Sequence, residues 1–266
     1  AHDLHPEYLG TRWAKGQLGD ASRRFADLPR IAVQHHHAHL AACLAENGTD
    51  EPAIGVILDG TGYGTDGSIW GGEFLVGNSA GFWRAGHFAQ LAMPGGERAA
   101  REPWRMAWAA MRALDSIEAA RLFPEWLARR SAEEIAAAEF AMESGTNTPR
   151  TSSCGRLFDA VASLTGLCDI AHFEAQAAIR LEFAADESAW QPYGFELRAE
   201  ARQGIMSPTE KPGTAGMPAA TSIVLSFLPA IQEIIQDMRI GKSVAEISAR
   251  FHATIIEGCA AVVDRI

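Results

Sequence analysis

A histidine cluster between a short apolar run and an alanine-rich segment constrains this sequence most. Four of the nine histidines lie within Val33-Gln-His-His-His-Ala-His39. Residues 31–33 are typical of a brief buried strand, and residues 38–45 of the helix that follows it. If that helix begins a few residues early, His35 and His39 stand at positions i and i+4 on one face. This spacing lets two imidazoles reach a single metal ion.

The other two histidines of the cluster point elsewhere on such a helix. His36 and His37 lie about 100° and 200° away from His35, so we expect them to support the site or the fold rather than to be ligands. Zinc peptidases share the i, i+4 pair but need a Glu beside the first histidine, and His36 occupies that position. Two interpretations stay open from spacing alone: a metal site, or a buried cluster of hydrogen-bonded histidines.

A third ligand is predicted at the end of the next strand. Residues 52–58 are apolar enough for a central strand, and Asp59 at its carboxyl end faces the crevice where open α/β sheets bind ligands. Two imidazoles and a carboxylate suit iron, zinc or manganese. The sequence therefore predicts a divalent metal site, with iron or zinc on His35, His39 and Asp59.

Glycines follow Asp59 at short intervals, at Gly60, Gly62, Gly64 and Gly67. The last three satisfy Gly-x-Gly-x-x-Gly, but a strand over residues 68–76 follows where a dinucleotide fold needs a helix. The pattern therefore predicts a glycine-rich turn between two strands. Its backbone amides either bind phosphate in an anion-binding nest or belong to a plain flexible hairpin.

Further motifs accompany the histidine cluster and the Leu58-Asp-Gly-Thr-Gly-Tyr-Gly64 segment in a characteristic order. They are Asp3-Leu-His-Pro-Glu-Tyr-Leu9 before the cluster, then Met93-Pro-Gly-Gly96, Arg101-Glu-Pro-Trp-Arg105, Thr151-Ser-Ser-Cys-Gly-Arg-Leu-Phe-Asp-Ala-Val161 and Phe173-Glu-Ala-Gln-Ala-Ala178. Together they resemble the carbamoyltransferase domain of the HypF family of hydrogenase maturation proteins. The similarity to threonylcarbamoyl transferases and antibiotic O-carbamoyltransferases is more distant.

The resemblance implies an α/β fold of the two-lobed actin and sugar-kinase (ASKHA) type. Residues 1–50 would end the first lobe and carry the His-x-x-x-His helix. Residues 51–266 would form the second lobe, with a three-stranded antiparallel β-meander over residues 53–91 followed by helices. The family's glycine-rich, adenosine-binding segment would come after Ile266, so we expect an incomplete internal fragment, truncated at its C-terminal end. We expect such a fragment to bind metal but to show no carbamoyltransferase turnover alone.

The resemblance also implies a reaction and its ligands. Carbamoyl adenylate, made from ATP elsewhere in the family's proteins, would give its carbamoyl group to the C-terminal cysteine of HypE. The thiocarbamate later becomes a cyanide ligand of nickel-iron hydrogenase. Arg156 and Asp159 would order phosphate and ribose, together with Glu174, although a carboxylate in the first turn of a helix also simply complements the helix dipole. The alternatives are a kinase-like nucleotide phosphotransferase, a small-molecule O-carbamoyltransferase and an inactive nucleotide- or partner-binding fragment.

Composition excludes several other classes of protein. A net charge of −10 and a pI near 5.4 argue against nucleic-acid binding, which needs a basic surface. The four cysteines are scattered and predict reduced thiols in a cytoplasmic protein. No apolar run approaches the ~18 residues of a membrane span, so we expect no membrane partner.

The rest of the chain predicts mostly helices. A third strand is predicted over residues 83–91, and residues 187–221 read as one short strand and a surface loop. Helices are predicted over residues 101–115, 122–130, 132–143, 157–164, 173–185, 223–238 and 244–263. The 173–185 helix carries Glu174 in its first turn, and Ala175 stands where the family usually has glycine.

Overall fold

A computed structural model of the protein describes residues 1–19, 28–114, 123–186, 188–201 and 221–266. The strands are β1 His2–Asp3, β2 Ala32–Val33, β3 Ala53–Tyr63, β4 Ile69–Asn78, β5 Gly81–Phe88, β6 Leu91–Ala92, β7 Arg150–Thr151, β8 Glu196–Ala201 and β9 Thr221–Ser226. The helices are α1 Leu9–Ala14, α2 His35–Glu46, α3 Glu97–Arg101, α4 Trp104–Ala113, α5 Pro124–Leu127, α6 Ala132–Ser144, α7 Cys154–Leu164, α8 Gln176–Ala184, α9 Leu228–Arg239 and α10 Val244–Val263.

The predicted three-stranded antiparallel meander is confirmed. β3 pairs with β4 in a register that sets Val56 opposite Phe74, and β4 pairs with β5. The register of β3 shifts between Leu58 and Gly62, where the chain carries Asp59 and Gly60. β3 nevertheless continues to Tyr63, because glycines do not prevent extended backbone.

The sheet continues beyond the meander through a strand that the sequence pattern did not predict. β9 runs parallel to β5, and β8 pairs antiparallel with β9. The prediction of one helix over residues 223–238 is therefore wrong: the apolar run begins as a strand, and α9 begins only at Leu228, with Pro229 in its first turn. A short apolar run fits a buried strand and a buried helix equally well, so periodicity alone does not separate the two.

The sheet carries a hydrophobic core on each face. A small core lies under α2 and consists of Leu40, Leu44, Ile57, Trp70, Leu75 and Phe82. A large core lies on the opposite face, where α4, α7, α9 and α10 pack. Successive side chains of a strand point to opposite faces, and β4 shows this directly, with Phe74 in the large core and Leu75 in the small one.

Several predicted boundaries shift in the structure. α10 matches the predicted 244–263 helix, whereas α2 begins at His35 rather than residue 38. The predicted 122–130 helix reduces to α5 within the described residues, and residues 202–220 of the predicted 187–221 loop lie outside them. The strand near residue 31 is not buried as predicted, because Ile31 is 62% exposed.

All four cysteines are unpaired. Among the helices described, none is both long enough and apolar enough to span a membrane.

Candidate metal centre and ligand cavity

The early start of α2 places two histidines on one face of the helix. Gln34 is the N-cap, and its side chain accepts a hydrogen bond from the His37 backbone N–H. Because the helix begins at His35, the rings of His35 and His39 are one turn apart, with their centroids separated by 5.0 Å. This is the arrangement that the i, i+4 spacing predicts.

Asp59 meets both histidines from β3. Its Oδ2 lies 3.2 Å from His35 Nε2 and 3.9 Å from His39 Nε2, and the three ligand atoms all lie within 4.8 Å of one another. Asp59 Oδ1 accepts a hydrogen bond from Gly60 N at 2.6 Å, whereas Oδ2 is buried and has no hydrogen-bond partner among the described residues. A divalent cation would satisfy this carboxylate oxygen, since an unpaired buried polar atom is costly. The trio therefore fits a metal ion.

Asp3 fixes the orientation of His35. Asp3 Oδ2 lies 2.7 Å from His35 Nδ1. A carboxylate only accepts, so His35 donates from Nδ1 and its Nε2 lone pair faces Asp59. Histidine ligands of metal ions commonly donate their second nitrogen to a carboxylate in this way. Asp3 Oδ1 also accepts from His5 N at 2.7 Å, which fixes the local turn of the chain. Because Asp3 is distant in sequence from the cluster, only the Asp3-Leu-His-Pro motif signals its role at the site.

Of the remaining histidines of the cluster, His37 points away from the trio as predicted, whereas His36 lies close to Asp59. His37 Nε2 contacts the Asn78 carbonyl oxygen at 2.8 Å, and its ring packs on Phe82. His36 is fully buried, with its Nε2 3.6 Å from Asp59 Oδ2. Burial lowers the pKa of His36 to about 4, which keeps the ring neutral near pH 7.

An open cavity of about 850 Å³ lies beside the trio. It brings together elements that are far apart in the sequence, namely the end of β3, the first turns of α7 and the segment before α8. The predicted site residues that line it are His35, Asp59, Gly60, Arg156, Asp159 and Glu174, whereas His39, Gly62 and Gly64 do not.

Arg156 and Asp159 form an ion pair at one wall of the cavity. Arg156 Nε donates to Asp159 Oδ2 at 2.5 Å, and its guanidinium also approaches the Gly60 carbonyl oxygen at 3.4 Å. Burial raises the pKa of Asp159 to about 6 although Arg156 opposes the shift. A second cation, Arg101, lines the same cavity. In the part of the chain that the structure describes, its side chain makes no ion pair.

The predicted glycine-rich turn between two strands is present but shorter than expected, because it covers only residues 64–68, between the antiparallel strands β3 and β4. Gly60 and Gly62 lie inside β3, and of the four glycines only Gly67 has a left-handed backbone, with φ of 80°. Gly60 N donates to Asp59 and Gly64 N donates to the Ser68 carbonyl, so neither amide is free for a phosphate. Gly62 has a packing role instead, because a Cβ there would lie 2.4 Å from His36 Cε1.

Glu174 lies before α8 rather than in its first turn. α8 begins at Gln176, and Ala175 is its N-cap with φ of 60°, a left-handed conformation that favours glycine. Glu174 is exposed at the rim of the cavity. The predicted helix began too early because a continuous apolar pattern does not reveal a left-handed residue.

The chain is similar to known proteins over most of its length. The family described as "Carbamoyltransferase, Kae1-like Domain, second subdomain" matches residues 55–266, and "HypF Kae1-like domain" matches residues 1–46. Carbamoyltransferase HypF2 of Cupriavidus necator is 39% identical over 266 residues, which cover 96% of this chain and 31% of the relative. Carbamoyltransferase HypF of Rhodobacter capsulatus is 43% identical over 245 residues, which cover 89% of this chain and 32% of the relative.

Solved structures give the same result. A full-length HypF crystallised in a phosphate- and nucleotide-bound form superposes with a TM-score of 0.82 at 33% identity, over 99% of this chain and 30% of that one. HypF of T. kodakarensis superposes with a TM-score of 0.75 at 26% identity, over 99% of this chain and 32% of that one. The chain thus spans about a third of the length of these relatives.

The fold is a mixed α/β fold of the Kae1-like, ASKHA type. More particularly, the chain belongs to the HypF carbamoyltransferase family, within its Kae1-like domain.

Proposed function

We propose that this chain supplies the site where a carbamoyl group passes from carbamoyl adenylate to the C-terminal cysteine thiol of a HypE-like acceptor protein. The thiocarbamate would serve the synthesis of the cyanide ligand of nickel-iron hydrogenase. One observation carries the proposal: His35, Asp59 and Arg156 line one open cavity, and the first two belong to a trio that fits a divalent metal ion. The names of the relatives and the nucleotide bound to one solved neighbour support it.

The reaction exchanges one bond at the carbamoyl carbon for another. The carbon–sulfur bond forms as the bond to the phosphate oxygen of the adenylate breaks, AMP leaves with that electron pair, and the thiol proton passes to solvent. The nucleophile belongs to the acceptor, so this chain needs none. Cys154 lines the cavity, but burial raises its pKa well above the ordinary range of a thiol, so it stays protonated and unreactive.

Three atoms would hold the cation: His35 Nε2, His39 Nε2 and Asp59 Oδ2. Bound there, iron or zinc supplies a Lewis acid that neutralises phosphate oxygens. If the lobe boundary lies near residue 50, as we propose, the two histidines come from one lobe and the aspartate from the other.

Two arginines would bind the anionic part of the nucleotide. Arg156 is held rigidly by Asp159 and the Gly60 carbonyl, so its positive charge stays at the cavity wall. Arg101 has no competing carboxylate in the described residues and is free to pair with a phosphate. Glu174, at the rim, is placed to contact the ribose or the approaching acceptor.

The proposal is tested by calorimetric titration of AMP into the chain with and without zinc. We expect binding that needs zinc and that Asp59→Asn or Arg101→Ala weakens at least tenfold. Arg98→Ala is the matched control, because Arg98 lies outside the cavity and pairs with Glu102 at 2.6 Å. AMP binding that changes neither with zinc nor with Asp59→Asn would contradict the proposal. In a separate incubation with ATP, formation of ADP would favour the kinase-like alternative.

A further inference from the structure

The side-chain amide of Gln34 has only one workable orientation. Gln34 is buried, its Oε1 accepts from the His37 backbone N–H at 2.9 Å, and its Nε2 donates to the Tyr63 carbonyl oxygen at 3.2 Å. A backbone N–H only donates and a carbonyl only accepts, so a flipped amide would lose both bonds. Nε2 therefore offers its second hydrogen to its remaining neighbour, His36 Nδ1, at 3.0 Å.

This orientation determines where His36 carries its proton. Since Nδ1 must accept from Gln34, the neutral ring holds its hydrogen on Nε2. A second proton, on Nδ1, would set two N–H groups against each other. It is unfavourable, because His36 is fully buried and water cannot separate the two groups. The Nε2–H points toward Asp59 Oδ2 at 3.6 Å, and both atoms are buried without a hydrogen-bond partner in the described residues.

The backbone of β3 is shaped to admit this ring. A Cβ on Gly62 would lie 2.4 Å from His36 Cε1 and 3.1 Å from His36 Nδ1. Any side chain at position 62 would therefore push the ring away from both Gln34 and Asp59. Gln34, Gly62 and His36 thus form one packed unit behind Asp59.

We propose that His36 is a positioning residue for Asp59: Gln34 holds it as the neutral Nε2–H form, whose N–H faces Asp59 Oδ2 across 3.6 Å, beyond hydrogen-bond range, and attracts the carboxylate electrostatically, and His36 is not itself a metal ligand. This inference rests on the proposed metal site at His35, His39 and Asp59. It leaves that site with two imidazoles and one carboxylate, a ligand set that suits iron or zinc with open positions. Carboxylate ligands of metal ions commonly have an outer partner that fixes their orientation.

The proton position is measured directly by long-range ¹H–¹⁵N correlation spectra of the untagged chain labelled with ¹⁵N-histidine. His36 is assigned from the signals that disappear in His36→Gln. We expect the Nε2–H pattern for His36 without metal and after one equivalent of zinc, while the Nε2 signals of His35 and His39 shift on adding zinc. Protonation of His36 at Nδ1, or movement of its Nε2 signal to the metal-bound range, would overturn the proposal.

The same spectra separate failure of this inference from failure of the proposed function. The tautomer of His36 is read before zinc is added. Spectra in which zinc shifts neither His35 nor His39 would overturn the metal site, and with it any positioning role for His36.

Two variants then test whether the N–H of His36 acts on Asp59. Gln can place an amide N–H near the position of the imidazole Nε2, whereas Leu cannot donate. We expect His36→Leu to weaken zinc binding, measured by competition with a chromophoric chelator, on the order of 10–100-fold, and His36→Gln to restore most of the loss. Equal losses in the two variants would assign His36 a packing role only. The wild-type spectrum keeps the proposal testable if His36→Leu fails to fold.

Discussion

The two faces of the meander formed by β3, β4 and β5 are built from different ranges of the sequence. The α2 face is local: its small core and the three candidate metal ligands all lie within residues 35–82. The opposite face is assembled from residues 74–262, and α7 brings Arg156 to the cavity from almost a hundred residues beyond β3. The difference teaches that helical spacing predicts the two candidate histidine ligands from a short stretch of sequence, whereas the cavity wall combines residues that no short stretch contains.

The largest expected effect separates two glycines that lie two residues apart in β3. Gly62→Ala sets a Cβ 2.4 Å from His36 Cε1, whereas a Cβ on Gly60 meets nothing within 4 Å. We expect Gly62→Ala to cost about 1–3 kcal/mol of stability through overpacking. Zinc affinity should fall on the order of 100-fold, because the unit behind Asp59 moves.

Gly60→Ala is the matched control and should stay near wild type in both measurements, which are urea unfolding and chelator competition. Similar behaviour of the two variants would show that α2 does not depend on close contact with β3.

The second prediction concerns the cavity wall. Burial raises the folded pKa of Asp159 from its ordinary value of 3.8 to about 6, so the folded state holds this proton more tightly than the unfolded state. The stability that this proton contributes is full below about pH 4 and is lost as the pH rises through about 6. We expect the free energy of unfolding of wild type, relative to Asp159→Asn, to fall by about 2–3 kcal/mol from pH 4 to pH 7.

Asp159→Asn serves as the reference because all other titrating groups then cancel. Urea unfolding at four pH values gives the difference directly. If the free energy of unfolding of wild type relative to Asp159→Asn instead rises with pH, the attraction of Arg156 for the ionised Asp159 carboxylate outweighs the cost of burying that carboxylate.

The third prediction returns to the α2 face. In Asp3→Asn the amide can turn an N–H toward His35 Nδ1, which favours a proton on His35 Nε2 and removes its lone pair from the site. We expect zinc affinity to fall about 10–100-fold with little change in stability. Asp50→Asn is the control, because Asp50 is exposed and its Oδ1 accepts a hydrogen bond from Ser79 N, away from the histidine cluster. Equal affinities of the two variants would contradict the orienting role of Asp3.

The smallest effect is expected at Ala175, the N-cap of α8 on the cavity side. A left-handed alanine is strained, and glycine relieves that strain while adding entropy to the unfolded chain. We expect Ala175→Gly to raise stability by up to about 1 kcal/mol in urea unfolding. Ala178→Gly, inside α8, should lower it by about 1 kcal/mol, so a loss in both variants would contradict the strain at Ala175.

The sequence predicted what depends on local periodicity. The meander, α10 and the shared face of His35 and His39 all follow from short-range patterns, and the structure confirms them. β9 was missed because residues 223–226 join a longer apolar run. The role of Asp3 depends on contacts between segments that are distant in the sequence, and no local pattern encodes such contacts. The same holds for the different space available to a side chain at Gly60 and at Gly62. The motif order predicted the family, which the comparisons confirm.

The central claim is that His35, His39 and Asp59 bind one divalent metal ion. It is tested by loading the untagged chain with zinc or iron, dialysing it, and measuring metal per chain by plasma mass spectrometry. We predict a stoichiometry near one for wild type and near zero for the His35→Ala, His39→Ala double variant. His172→Ala, a change at an exposed histidine outside the trio, should keep the metal. Unchanged stoichiometry in the folded double variant would contradict the assignment.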